Sequence, residues 1–147
     1  MQISEVRVKL VENGAERLLA FCSITIDEAF VVRDLKIIGG PSGPFVAMPS
    51  RKLCGNCPGC GFKNALRACF CNQCGSRLHG VVGPRDDTGR TRLYADIAHP
   101  INAACRELIE RRIVDEYEAE VLRARQPGYT SRYDTLGDEE HRPPRAG

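Results

Sequence analysis

The sequence predicts an α+β protein: an antiparallel β-sheet, a long C-terminal helix, and a small four-cysteine zinc ribbon inserted between the last strands. Three observations carry that reading. The first third of the chain alternates apolar and polar residues in short runs divided by turn signals, the mark of half-buried strands. A later stretch repeats apolar residues every three to four positions, as an amphipathic helix does. Between them stand two matching knuckles, Cys57-Pro58-Gly59-Cys60-Gly61 and Cys71-Asn72-Gln73-Cys74-Gly75.

The elements follow in order. Residues 3–12 place Val6, Val8 and Leu10 on one face and Arg7 and Lys9 on the other, a strand. Asn13-Gly14 supplies a hairpin turn, because both central residues of a primed turn need positive φ. The return strand runs from about Arg17 to Ile26, where Asp27-Glu28 breaks it. Phe30 to Ile38 reads as a third strand. The turn cluster Gly39-Gly40-Pro41-Ser42-Gly43-Pro44 then leads to a short fourth strand, Phe45 to Met48, ended by Pro49. Thr91 to Ala95 resumes a strand after the cysteine module. Asn102 is the expected N-cap of a helix from Ala103 to about Arg125. Its inward stripe is Cys105, Ile109, Ile113, Tyr117 and Val121, flanked by Leu108 and Leu122.

The organisation expected is therefore a discontinuous core of residues 1–52 plus 91–125, a zinc ribbon at 53–79, a linker at 80–90, and a disordered tail at 126–147 with no apolar period.

Cys57, Cys60, Cys71 and Cys74 are the expected metal ligands. Each knuckle puts two sulfurs on one tight turn, and two facing turns complete the tetrahedron of structural Zn²⁺. Such a closed site leaves no position for a reactive water, so it serves architecture. Cys54 and Cys69 leave a shifted ligand set open, and the Cys54, Cys57, Cys60 spacing also fits part of an iron–sulfur run. Phe62 and Phe70 are expected over the metal site as a miniature core, with base stacking as the alternative. Cys22 and Cys105 read as small buried hydrophobes. His99 reads as a corner residue, and His79 is surplus to a site that four thiolates fill.

Net charge is only +2, but eight basic residues oppose two acidic ones between Arg51 and Ala95, a local balance of +6. A metal on four thiolates brings formally −2, leaving about +4. That field favours a polyanionic partner. Lys63, Arg67 and Arg77 on the module are candidates to meet it, against the plainer reading of solvated charges. The opening MQISEVRVKLVE alternates polar and apolar residues and does not read as a secretory signal, and no apolar run has the length expected to cross a bilayer. Six of the eight cysteines crowd between Cys54 and Cys74 in knuckle spacing, which points to metal in a reducing, cytoplasmic compartment and to no membrane partner. No Ser/His/Asp set, phosphate-cradling loop or acidic pair stands out, so neither an enzyme nor a small-molecule substrate is expected.

Three phrases carry a resemblance: Ser23-Ile24-Thr25-Ile26-Asp27 through Phe30-Val31-Val32-Arg33-Asp34, then Gly43-Pro44-Phe45-Val46-Ala47-Met48-Pro49-Ser50-Arg51-Lys52, and Asp96-Ile97-Ala98-His99-Pro100-Ile101-Asn102. Over about residues 1–52 and 93–122 the chain resembles the stage V sporulation protein G (SpoVG) family of septation and sporulation regulators. The resemblance implies a homodimer of β-sheets with C-terminal helices that binds DNA or RNA. It also implies that Arg51 and Lys52, the basic pair after "MPS", touch nucleic acid. Typical members join that pair to "DIAHPI" by a short turn, where this chain carries the cysteine module. A protein–protein adaptor whose ribbon docks on a division or transcription component is the alternative.

Overall fold

The alternating runs pair as one antiparallel sheet. The structure, a computed structural model, describes residues 1–12, 17–79 and 85–133. Among them β1 (Ile3–Leu10), β2 (Leu18–Ile26), β3 (Phe30–Gly40) and β4 (Gly43–Ala47) lie side by side in chain order. The expected Asn13-Gly14 turn lies outside the described residues. Register aligns Val6 with Ile24, Val8 with Cys22, Cys22 with Leu35, and Ile37 with Val46, so one face is continuously apolar. Those side chains form the core with Ile109 and Ile113 of α1 (Ala103–Ala124). Cys22 is fully buried, and burial pushes its thiol up to about 12, as expected of an inert hydrophobe.

Asp27-Glu28 turns the chain from β2 into β3. Both residues have positive φ, 51° and 54°, and the Ala29 amide donates to the Ile26 carbonyl at 3.0 Å. The two left-handed residues sit in a three-residue connection, 27–29, between the paired Ile26 and Phe30. Left-handed backbone is unfavourable away from glycine. Here the Gln2 amide donates to Asp27 Oδ1 at 2.7 Å and the Glu28 amide donates to Ser4 Oγ at 2.8 Å, which offsets the cost.

The helix begins where expected: Asn102 Oδ1 accepts from the Cys105 amide at 2.8 Å. Its far end departs from the expected stripe, because Leu122 is 61% exposed and Glu120 is buried. Steps of four residues advance about 40° beyond a full turn, so four such steps carry Val121 about 160° from Cys105. The core-facing line instead runs from Ile113 by seven residues to Glu120. That carboxylate is satisfied locally: Arg123 donates from Nε to Oε2 at 2.9 Å, and the Tyr129 hydroxyl donates to Oε1 at 2.5 Å.

Residues 126–133, read as the start of a loose tail, turn back onto the sheet. The Arg7 guanidinium donates to the Arg132 carbonyl at 2.9 Å. Tyr133 is 5% exposed, lies 5.2 Å below the Arg33 guanidinium, and reaches Asp34 Oδ1 with its hydroxyl at 3.3 Å. Asp34 stands at a bulge in β3 with φ 62°. The rest of the predicted tail lies outside the described residues.

The chain divides into two compact units, Met1–Pro49 with Ala98–Gly147, and Ser50–Ile97. In the second, β5 (Ser50–Lys52) pairs with β8 (Tyr94–Asp96), and β6 (Cys54–Asn56) pairs with β7 (Lys63–Ala65). The strand expected at Thr91–Ala95 thus forms as Tyr94–Asp96 and does not extend the large sheet. It pairs with the strand that enters the module, so a short ladder closes the excursion at its base. Arg51 and Lys52 belong to this second unit. Within the expected linker, Arg85 bridges to Thr91 around a turn that Asp86 Oδ1 holds by accepting the Thr88 and Arg90 amides, each at 2.9 Å.

Candidate metal centre and basic surface

The two knuckles repeat one backbone design. In the first, the Cys57 amide donates to the Phe62 carbonyl at 2.8 Å and the Gly61 amide to the Cys57 carbonyl at 2.8 Å. In the second, the Cys71 amide donates to the Ser76 carbonyl at 2.8 Å and the Gly75 amide to the Cys71 carbonyl at 3.0 Å. Gly61 and Gly75 both turn at φ near +75° (77° and 75°), a region where a Cβ is strained, so glycine after the second cysteine is required. Asn64, 4% exposed, ties the knuckles together. Its Oδ1 accepts the Asn72 amide at 2.9 Å and its Nδ2 donates to the Phe62 carbonyl at 3.2 Å.

This design brings the sulfurs of Cys57, Cys60, Cys71 and Cys74 within 4.8 Å of one another. Cys57 and Cys74 stand 3.7 Å apart, and Cys60 and Cys71 stand 3.6 Å apart. A tetrahedron with metal–sulfur bonds of about 2.3 Å has edges of about 3.8 Å, so the four could hold one metal ion. Amides are aimed at the sulfurs as thiolates need: Gly59 N–H points to Cys57 Sγ at 3.4 Å, and Gln73 N–H points to Cys71 Sγ at 3.4 Å. The Cys74 amide holds the Cys71 thiol down to about 6, with the Asn64 side chain and Gln73 amide adding to it. The Ser76 hydroxyl, 3.1 Å away, lowers Cys74. Cys60 goes the other way, to about 11: the Phe62 amide favours its thiolate, but burial and the neighbouring sulfurs outweigh it. Four sulfurs in this space resist losing every proton unless a cation joins them.

Cys54 and Cys69 are exposed and stand outside the cluster, as does His79. Phe62 and Phe70 are also exposed, at 39% and 64%, which corrects the expectation that they cover the metal site. The buried centre of the ribbon is Cys57, Cys71 and Leu78 with Ala68, and the two phenylalanines contribute backbone pairing instead. His99 places Nδ1 3.1 Å from the Pro100 carbonyl.

Arg51, Lys52, Lys63, Arg67 and Arg77 are all exposed and all lie in the second unit. From Ser50 to Ile97 eight basic residues face Asp86, Asp87 and Asp96. Asp86 is engaged in its own turn, and its hydrogen bonds to Thr88 and Arg90 lower its pKa. Among the described residues no helix is long and apolar enough to cross a membrane.

Among the described residues, fold and site define a class: an α+β protein with a four-cysteine module between its sheet and its helix in the chain. The SpoVG family model matches residues 1–119. The chain is 34% identical over 134 residues to "Putative septation protein SpoVG" of Anaeromyxobacter sp. strain Fw109-5, covering 91% of this chain and 99% of that protein. The like-named proteins of Agathobacter rectalis and Myxococcus xanthus are each 36% identical. Their alignments cover 82% of this chain with 97% of the first, and 84% of this chain with 87% of the second. The chain belongs to the SpoVG family.

Proposed function

We propose that this chain is a non-enzymatic regulator of the SpoVG type that binds nucleic acid as a cytoplasmic homodimer, serves septation or sporulation control, and uses structural Zn²⁺ to shape its binding surface. The observation that carries the reading is the concentration of exposed cations on the metal-organised unit, Arg51, Lys52, Lys63, Arg67 and Arg77, with few opposing carboxylates. Phosphate neutralisation by such residues is the main source of affinity in nucleic-acid binding. Four sulfurs, knuckle glycines and donated amides favour zinc over an iron–sulfur centre. Dimerisation is supported by the sheet itself, whose β1 and β4 are edge strands. Two copies of a modest basic surface then act together.

The test is a salt titration of DNA and RNA binding. Changing Arg51 and Lys52 together to alanine lowers affinity and reduces the slope of log K against log salt by about 2, roughly one per lost phosphate contact. Wild-type binding that is absent, or indifferent to salt, removes the reading. The exposed Phe62 and Phe70 favour a second reading, a ribbon that docks on a protein partner. Pull-down by the full chain with and without nuclease treatment separates the two, since only an adaptor keeps its partner once nucleic acid is digested.

A further inference from the structure

At the base of the second unit three backbone segments meet. The Leu53 amide donates to the Leu93 carbonyl at 2.8 Å, and the Leu66 amide donates to the Leu53 carbonyl at 3.4 Å. These bonds join the β5–β8 ladder to the β6–β7 hairpin. A cleft of about 190 Å³ lies among them. Leu53, Leu66 and Leu93 contribute aliphatic lining, Tyr94 adds an aromatic ring, and Lys52 and Arg67 add charge. Tyr94 is 52% exposed, so its ring is open to solvent at this cleft.

The cleft is smaller than the roughly 300–1,000 Å³ of sites that enclose a drug-sized ligand. Its size suits one planar group. Lining and charge together specify that group: an apolar cleft with an aromatic ring accepts a π-face, and two cations beside it neutralise anionic groups on either side. A nucleobase with its flanking phosphates has this chemistry. Within a duplex both faces of each base are covered by its neighbours, so only an unstacked base can enter.

We infer that this cleft takes one unpaired nucleobase against Tyr94, with the adjoining phosphates on Lys52 and Arg67, and that the protein prefers single strands to duplex. This deepens the nucleic-acid reading above and rests on it.

Fluorescence anisotropy of the zinc-loaded full chain tests the inference, with labelled strands about 16 nucleotides long offered as single-stranded DNA, single-stranded RNA and duplex. Both single strands bind more tightly than duplex, and the difference between them identifies the preferred sugar. Tyr94→Ala weakens single-strand binding roughly 5- to 150-fold, the usual loss for one stacked base, without changing the salt slope. Tyr94→Phe keeps the ring and keeps the affinity. Preference for duplex, or a Tyr94→Ala protein that binds as wild type while the Arg51/Lys52 double variant is impaired, overturns the cleft and leaves the broader reading standing. Failure of the wild type to bind any of the three strands overturns both.

Discussion

Replacing Cys71 with serine abolishes metal binding and unfolds the ribbon, while the sheet–helix core retains its cooperative melt. The reason is how little else holds the ribbon together. Between residues 53 and 79 the buried side chains are Cys57, Asn64, Leu66, Cys71 and Leu78, so two of the five are candidate metal ligands. Without the ion only Leu66 and Leu78 remain as buried aliphatic side chains, far too little against the entropy of ordering the loops. Structural zinc sites carry apparent binding free energies of about 10–16 kcal/mol, and in such modules that energy is folding energy. The core of the sheet shares no residue with this cluster, which is why its melt persists. Metal analysis after gel filtration, with hydrogen exchange over residues 53–79, reads both halves of the result. A Cys71→Ser protein that keeps its ion and its protection contradicts it. Acid acts in the same direction. Protons compete with the ion for each sulfur, so metal is released on acidification, and a metal content independent of pH contradicts thiolate ligation.

Ile113→Ala destabilises the core by about 2–5 kcal/mol, lowering its melting temperature by roughly 10–30 °C. Ile113 is fully buried, near the middle of α1, and packs in the cluster formed by the apolar sheet face. Removing its outer methyl groups leaves a cavity that strands on one side and a helix on the other cannot collapse to fill. Leu122→Ala, at a position 61% exposed on the same helix, shifts the melt by less than about 0.5 kcal/mol. Equal effects at the two positions would mean that the helix packs by a different face. Chemical denaturation monitored by far-UV circular dichroism makes the comparison.

Features with strong local chemistry were legible in the sequence. Alternation in β1 to β4 located the sheet, because facing one core enforces a two-residue period. Asn102 marked the start of the helix, because an exposed amide there needs an acceptor. The cysteine spacing marked the four sulfurs, because the knuckle geometry depends on that spacing and on the following glycine. What escaped was long-range or singular. Tyr94–Asp96 is three residues long, too short for a period to name its partner, and its pairing with Ser50–Lys52 emerges only from closure of the module. Glu120 resembled one more surface charge, although it stands seven residues after Ile113 and so on the same face. Tyr133 is one aromatic in a polar stretch, and its return depends on an arginine and an aspartate a hundred residues earlier in the chain, Arg33 and Asp34. Phe62 and Phe70 were misplaced because a ribbon of this size has so small an interior that sulfur, leucine and alanine already fill it.

On the proposed reading, function is concentrated in the second unit, which carries exposed phenylalanines, an open tyrosine and exposed arginines and lysines. Oligonucleotide binding measured before and after removal of metal with a chelator, then after zinc is restored, tests this most directly. Affinity that falls at least about tenfold on chelation and returns with zinc is the predicted result. Affinity unchanged by chelation, in protein shown to have lost its metal, would contradict it.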